Sequence, residues 1–333
     1  LPYRLRPGFA VIDRGPRGIQ IGSDPNYSVI LEDLDLPERR FLFALANRPN
    51  SAQIRIAQQQ CGLSDEGRDQ LLARLKHTEV LEEFIRFEPG ALHPEQIACI
   101  RRDGHSDAFD LRAHRKIQVW GASALGTLVF ELARRSNIGE VQLAPWLDSP
   151  EVSIQAPFPF PREFAGCQLE RAIEHCYPEG QMPKGSAARE AAERSADLHI
   201  FISRGVFDPT TARLAGTSTY LPVVEHEMGL SIGPLVSPLG GPCFECLERH
   251  RRDQEASWGD SFFTLNHQML TRESALSSVL LSLGAGQVLN FVLDYLDGRG
   301  MIPAGTSMYL PAYSPSPGIK RWRIHPQCQN HPK

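Results

Sequence analysis

The sequence predicts an α/β protein in which a small winged-helix-like α+β unit precedes a larger Rossmann-like domain. Three observations carry this. The first ninety residues read as three short strands followed by three helices. A strand–glycine turn–helix–strand series begins at Lys116. A Cys243-x-x-Cys246 pair and a Cys328-x-x-His331 pair close the chain. At 333 residues the chain is long for one core, so two domains are expected.

In the first unit, Phe9–Ile12 and Gly18–Ile21 are β-type runs joined by the hairpin signal Arg14-Gly15-Pro16-Arg17. Tyr27–Leu31 follows the Gly22-Ser-Asp-Pro25 turn. Pro37 opens a helix through Phe41, Leu42 and Leu45. Ser51 can cap a second through Ile54, Ile56 and Ala57. Ser64 precedes a third, whose Leu71, Leu72 and Leu75 share one face. The expected domain is 1–88. Residues 89–113, with Pro89, Gly90, Pro94 and a polar run, read as a linker.

The second domain is expected over 114–333. Lys116–Trp120 is a strand, Gly121–Gly126 a glycine turn, Thr127–Arg135 a helix and Glu140–Ala144 the next strand, which makes a βαβ unit. Asp197–Ile202 and Thr219–Val224 are further strands. Ser278–Leu296 is interrupted by Gly284, Gly286, Gln287, Asn290 and Asp294, so it reads as a buried helix and not as a membrane span.

Composition narrows function. A hydrophobic content of 41% with 22% charge is that of a globular protein, and a net charge of -4 gives no general reason to bind nucleic acid or anionic lipid. The start, LPYRLRPGF, lacks the features of a signal peptide, and the seven cysteines are unevenly spread. A cytoplasmic location with one metal site is expected.

The strongest chemical signal is that site. Two pairs with two intervening residues each can close a tetrahedral Cys₃His zinc centre from Cys243, Cys246, Cys328 and His331, with His325 as the substitute fourth ligand. A filled four-ligand shell is structural. The bland alternative is a frayed tail beside an ordinary cysteine pair.

The glycine turn is a weaker signal. Gly121 and Gly126 are present, but Ser123 stands where a nucleotide loop wants its third-position glycine. Ala144 ends the second strand where a ribose-binding acid is expected, with Asp148 only a late substitute. No functional nucleotide site is expected. Glu225, His226 and Glu227 form an acid/base group without HExxH spacing, and a packed histidine is the simpler reading.

The basic residues of the first unit (Arg39, Arg40, Arg68, Arg74, Lys76) are matched by Glu32, Asp33, Asp35, Glu38, Asp65 and Asp69, which argues against DNA. Such a sheet can instead take an extended peptide as an added strand. The residues expected to hold it are Tyr27, Val29, Ile30, Leu31 and Glu32 on the strand, and Arg68, Leu71, Leu72, Arg74 and Leu75 on the third helix. A purely structural domain is the alternative.

The series Leu5-Arg-Pro-Gly8, Gly22-Ser-Asp-Pro25, Ile232-Gly-Pro-Leu-Val-Ser-Pro238, Pro242-Cys-x-x-Cys-Leu247, His250-Arg-Arg-Asp253 and Trp322-Arg-x-His325-Pro-x-Cys328 spans nearly the whole chain. It resembles the leader-peptide-binding proteins of thiazole/oxazole-modified peptide biosynthesis. The resemblance implies an N-terminal RiPP recognition element and a degenerate ThiF-like adenylating-enzyme domain with structural zinc. It further implies a non-catalytic subunit that presents a precursor leader to a YcaO-type cyclodehydratase. A homodimer is compatible with it. The family's final cysteine is replaced here by Gln329-Asn330-His331. Active adenylating enzymes need a richer glycine loop and an Arg, Gln and Lys set. Here Pro157-Phe-Pro-Phe-Pro161 and Arg162 stand in that region. The alternative reading is an ATP-dependent adenylating enzyme acting on a peptide C-terminus.

Overall fold

The computed structural model describes residues 3–47, 49–78, 80–83, 92–121, 123–144, 151–152, 158–178, 196–207, 215–262, 264 and 276–331. Asp148 and Pro157 lie outside them. The chain divides into two compact units, Leu1–Asp110 and Leu111–Lys333.

The first unit holds an antiparallel sheet of order β2-β3-β4, from Val11–Asp13, Ile19–Ile21 and Val29–Leu31. A separate ribbon pairs β1 (Tyr3–Leu5) with β5 (Leu81–Glu83). Three helices follow the sheet, and each starts on a side-chain cap. Asp35 and Glu38 form a reciprocal capping box on α1 (Leu36–Ala46), as Asn50 and Gln53 do on α2 (Ser51–Cys61). Ser64 accepts from the Gly67 amide at the start of α3 (Asp65–Lys76). These contacts satisfy amides that have no partner within the helix. Ile19 and Ile21 of β3 meet Phe41, Leu42, Leu45, Ile54, Leu71 and Leu75 in one buried cluster.

Two helices fill the stretch that the sequence suggested as a linker: α4 (Pro94–Asp103) and α5 (Asp107–Arg112). α4 buries Cys99 and Ile100, and its C-terminal end is held by polar contacts that the polar run supplies. Buried Arg6 donates to the carbonyls of Arg101 and Arg102, each at 3.0 Å, and Arg101 donates back to the Pro7 carbonyl. An arginine fork thus satisfies carbonyls at the end of α4 that lack intrahelical partners.

The second unit is built on a sheet of order β12-β11-β10-β9-β8-β6-β7. β6 (Lys116–Trp120), β7 (Glu140–Ala144), β8 (Leu198–Arg204) and β9 (Thr219–His226) run parallel. β10 (Gly229–Ile232), β11 (Thr306–Pro311) and β12 (Gly318–Arg321) extend it antiparallel. Alternation along the strands separates two cores. Ile117, Val119, Ile200 and Val223 pack with α6 (Ala124–Arg135), α7 (Leu169–Cys176) and α9 (Ser278–Leu296). Trp120, Phe201, Tyr220 and Val224 pack with Phe207 and with Leu247 of α8 (Phe244–Gln254). The long apolar helix α9 is thus a core element lying against α6 and β10. Gly284 permits this, because a Cβ there would stand 2.2 Å from Leu230. Where α9 ends, buried Asp297 takes two hydrogen bonds from buried Arg112, at 2.7 and 2.8 Å.

Candidate functional site

The strand order identifies the first site. The chain passes from β6 to β7 on one side and then returns to β8 on the other, so β6/β8 is a topological switch point. Ligands of open α/β sheets bind at the carboxyl ends of the strands beside such a point. Four residues meet the requirements of that edge. Gly121 ends β6 at φ 102°, a conformation that a side chain would strain. A Cβ on Gly126 would meet the Gly121 carbonyl at 1.9 Å, so this glycine lets helix and turn close on each other. Arg204 ends β8 and Glu225 lies next to the end of β9.

Ser123 occupies the third loop position. As N-cap of α6 it accepts from the Gly126 amide at 3.2 Å and donates to Glu225 Oε1 at 2.9 Å. Glu225 is 2% exposed. Its other oxygen, Oε2, has no hydrogen-bond partner and faces the Arg204 guanidinium at 3.7 Å. The positive end of α6, the bare turn and Arg204 suit phosphate, and the residues therefore fit a nucleotide. The sequence offers Glu225 only as one of an acid/base group without HExxH spacing, and only the tertiary structure brings it to Ser123. Its neighbour His226 is turned away and hydrogen-bonds Ser231 across the β9–β10 hairpin at 2.8 Å. Burial holds that imidazole below the usual histidine range. Arg162 stands exposed in a short 3-10 turn, Arg162–Phe164.

The second site is the cysteine cluster. Cys243 caps α8 and Cys246 lies one turn on, with their sulfurs 3.7 Å apart, and Cys328 Sγ is 3.5 Å from Cys243 Sγ. One ligand atom from each of Cys243, Cys246, Cys328 and His331 lies within 4.8 Å of the others. Burial pushes the Cys243 thiol up. Hydrogen bonds from the Cys246 amide, Cys328, Asn330 and His331 outweigh it and bring the thiol to about 7. Burial and the neighbouring sulfurs push Cys328 up to about 11. The cluster thus stabilises a thiolate at Cys243. His331 Nε2 is buried with no hydrogen-bond partner. Three soft sulfurs and one imidazole form a donor set that fits zinc.

His325, the substitute ligand, is engaged elsewhere. Its Nδ1 accepts from the Gln327 amide at 3.1 Å, which leaves Nε2 to donate to Asp253 at 2.8 Å. His250 donates to the Arg323 carbonyl at 3.0 Å, and Lys320 and Arg251 lie over the Trp322 ring. The His250–Asp253 face of α8 therefore grips the tail that delivers Cys328 and His331.

The third site is the edge strand β4. Tyr27 and Ile30 are 69% and 47% exposed, Val29 is half-buried and Glu32 is exposed. Leu31, Leu71, Leu72 and Leu75 are not available as surface contacts: they are 5%, 0%, 7% and 0% exposed and form the core beneath β4. Shared helical spacing identified an apolar face without saying which way it points. Arg74 donates to the Glu32 carbonyl, and Arg68 is held by Gln58, Asp65 and Asp69.

No family model and no curated protein matches the sequence. Solved structures do. Escherichia coli MccB in complex with MccA matches at 13% identity and a TM-score of 0.69, over 99% of both chains. MccB with ATP matches at 14% identity and 0.68, again over 99% of both. PaaA matches at 16% and 0.64, over 95% of this chain and 98% of its own. MccB, a microcin C7 biosynthetic enzyme, also matches in its complex with N-formylated MccA, at 13% identity and a TM-score of 0.68 over 99% of both chains. The chain therefore has the MccB fold from end to end.

Two expectations are corrected by this. The chain was read as a non-catalytic subunit, yet its whole length matches a protein described as a biosynthetic enzyme. It was read as lacking a nucleotide site, yet that same fold is known with ATP bound. The first came from the family resemblance, and the second rested in part on Ser123. Its hydroxyl caps α6 and leaves the strand-to-helix turn intact.

Proposed function

We propose that this chain is an ATP-dependent enzyme that activates the C-terminal carboxylate of a ribosomal precursor peptide. The supporting observation is the end-to-end match to a protein crystallised both with ATP and with its peptide MccA, taken with a switch-point crevice that suits phosphate. In the reaction, a peptide carboxylate oxygen attacks the α-phosphorus of ATP. The bond to the bridging oxygen breaks and pyrophosphate leaves, giving an acyl adenylate. Gly121, the N-terminal amides of α6 and Arg204 bind the phosphates, as positioning and charge stabilisation require. The exposed edge of β4, with Tyr27 and Ile30, takes an upstream segment of the peptide as an added strand. Zinc held by Cys243, Cys246, Cys328 and His331 fixes the tail and takes no part in the chemistry. This reading assigns no role to a YcaO-type partner or to azoline formation, which the sequence resemblance alone implied.

The test is ATP–pyrophosphate exchange with candidate precursor peptides. Exchange should require the free C-terminal carboxylate, vanish with the C-terminal amide and be lost in Gly121→Val. Exchange that is indifferent to the peptide, or absent with every precursor encoded beside the chain, would overturn the reading.

A further inference from the structure

The antiparallel extension of the large sheet carries an apolar surface open to water. Met228 is 57% exposed, Tyr309 40% and Tyr313 87%. The three are contiguous. Met228 is at the tip of the β9–β10 hairpin, and its carbonyl accepts from the Tyr309 hydroxyl at 3.3 Å and from the Ala312 amide at 2.9 Å. The Tyr309 ring lies across Gly229, where a Cβ would stand 2.5 Å from the phenol oxygen. Glycine there lets the ring close on the hairpin backbone. Tyr313 opens the loop Tyr313-Ser-Pro-Ser-Pro317 between β11 and β12, in which two prolines restrict the backbone. A hydrogen-bonded ring and a stiffened loop lose little freedom when something binds to them. Large apolar side chains held out into water in this way mark an interaction surface.

The place of this surface in the sheet indicates its partner. β10 is antiparallel to both β9 and β11, so β9 and β11 point the same way, and β9 is parallel to β8 and β8 to β6. The hairpin tip and the end of β11 therefore lie at the carboxyl edge of the sheet, which is the edge of the crevice. Met228 follows Glu225 by three positions, and the His226 ring is 6.1 Å from that of Tyr309. An extended peptide advances about 3.3–3.6 Å per residue, so a carboxylate in the crevice is preceded by residues lying about 7–14 Å away. That is the distance over which the chain passes this surface.

We infer that Met228, Tyr309 and Tyr313 seat apolar side chains of the precursor peptide at the second to fourth positions from its C-terminus. They thereby select which peptides are activated. The inference rests on the crevice being the place where the peptide carboxylate is activated. Two aromatic rings and a flexible thioether suit aliphatic or aromatic side chains, because burial of apolar area supplies the gain.

The test uses the full chain in ATP–pyrophosphate exchange, with a synthetic peptide of the last ten residues of each precursor encoded beside the chain. The double variant Met228→Ser, Tyr313→Ser alters two exposed side chains and leaves the core of the sheet intact. It should raise the KM for peptide by about tenfold, while the KM for ATP moves by less than about twofold. Tyr313→Phe alone should keep the peptide KM within about twofold of the wild type, since the ring remains. Serine at the second to fourth peptide positions should cost the wild type a similar factor. Combined with the double variant it should add less than about threefold, the non-additivity of groups that touch. An unchanged peptide KM in the double variant, or full additivity of the two losses, would overturn the seat and leave the activation reading standing. So would an active precursor with no apolar residue at these positions. A dimer lost in the variant on size exclusion, with the peptide KM unchanged, would give the surface to a second copy and overturn the seat. Absence of exchange in the wild type with every such peptide would overturn both.

Discussion

His199 gives the second unit a built-in acid sensitivity. It lies in mid-β8 at 0% exposure, its Nδ1 accepts from Trp120 Nε1 at 3.1 Å, and its ring stacks on Phe201. Its Nε2 is buried without a partner. Burial lowers the imidazole from 6.5 to about 4. In the unfolded chain the same ring protonates near 6.5, so acid favours unfolding. The contribution is fully present above 6.5 and is lost as pH falls toward 4. Linkage gives a loss of about 2 kcal/mol between pH 7 and pH 5, with a limit near ~3 kcal/mol. The assay is urea unfolding followed by tryptophan fluorescence. All four tryptophans, at 120, 146, 258 and 322, belong to the second unit, so the signal reports that unit. His199→Gln can still accept from Trp120 but does not titrate. The wild type should lose about 2 kcal/mol more than the variant over this interval. If both lose the same amount, the acid sensitivity arises elsewhere and the reasoning fails.

Other predictions concern distinct parts of the molecule. Asp297→Asn removes the carboxylate charge that faces buried Arg112 and should cost about 3–5 kcal/mol in the same assay, whereas the double replacement Arg112→Met, Asp297→Leu should cost clearly less. Cobalt added to metal-free protein should give the intense near-ultraviolet thiolate bands of a sulfur-rich tetrahedral site. Cys328→Ser should abolish them, and His325→Gln should leave the bands while loosening the tail; bands unchanged in Cys328→Ser would disprove the ligand set. Ile30→Glu on the exposed edge of β4 should leave unit stability within about 0.5 kcal/mol. It should weaken precursor-peptide binding by about tenfold, read by fluorescence anisotropy. Unchanged binding would move the peptide off this edge.

How far the sequence could be read depended on how local each signal was. The Ser64 cap acts over three residues, and the βαβ pattern at 116–144 over thirty, so these elements were legible. The caps of the first two helices are Asp35 and Asn50, and not the expected Pro37 opening and Ser51. The cysteine spacing was legible because two sulfurs one helical turn apart can reach a common point. The α4 segment was hidden because it is short, buries only Cys99 and Ile100 fully, and is tied down at its end by bonds from Arg6 to carbonyls. The orientation of Leu71 and Leu75 was also hidden, since periodicity shows a face and not what covers it.

By itself, the sequence determined a two-unit α/β chain, the glycine turn, the cysteine pair and a charge balance unsuited to nucleic acid. Tertiary structure alone decided which residues share a site. Ser123 and Glu225 are 102 positions apart, and only the parallel register of β6, β8 and β9 brings the hydroxyl to the carboxylate. Read as a linear motif, Ser123 marked a decayed nucleotide loop. In the fold it caps a helix and bonds the buried Glu225 side chain at the strand ends, because strand order sets what lies at that edge.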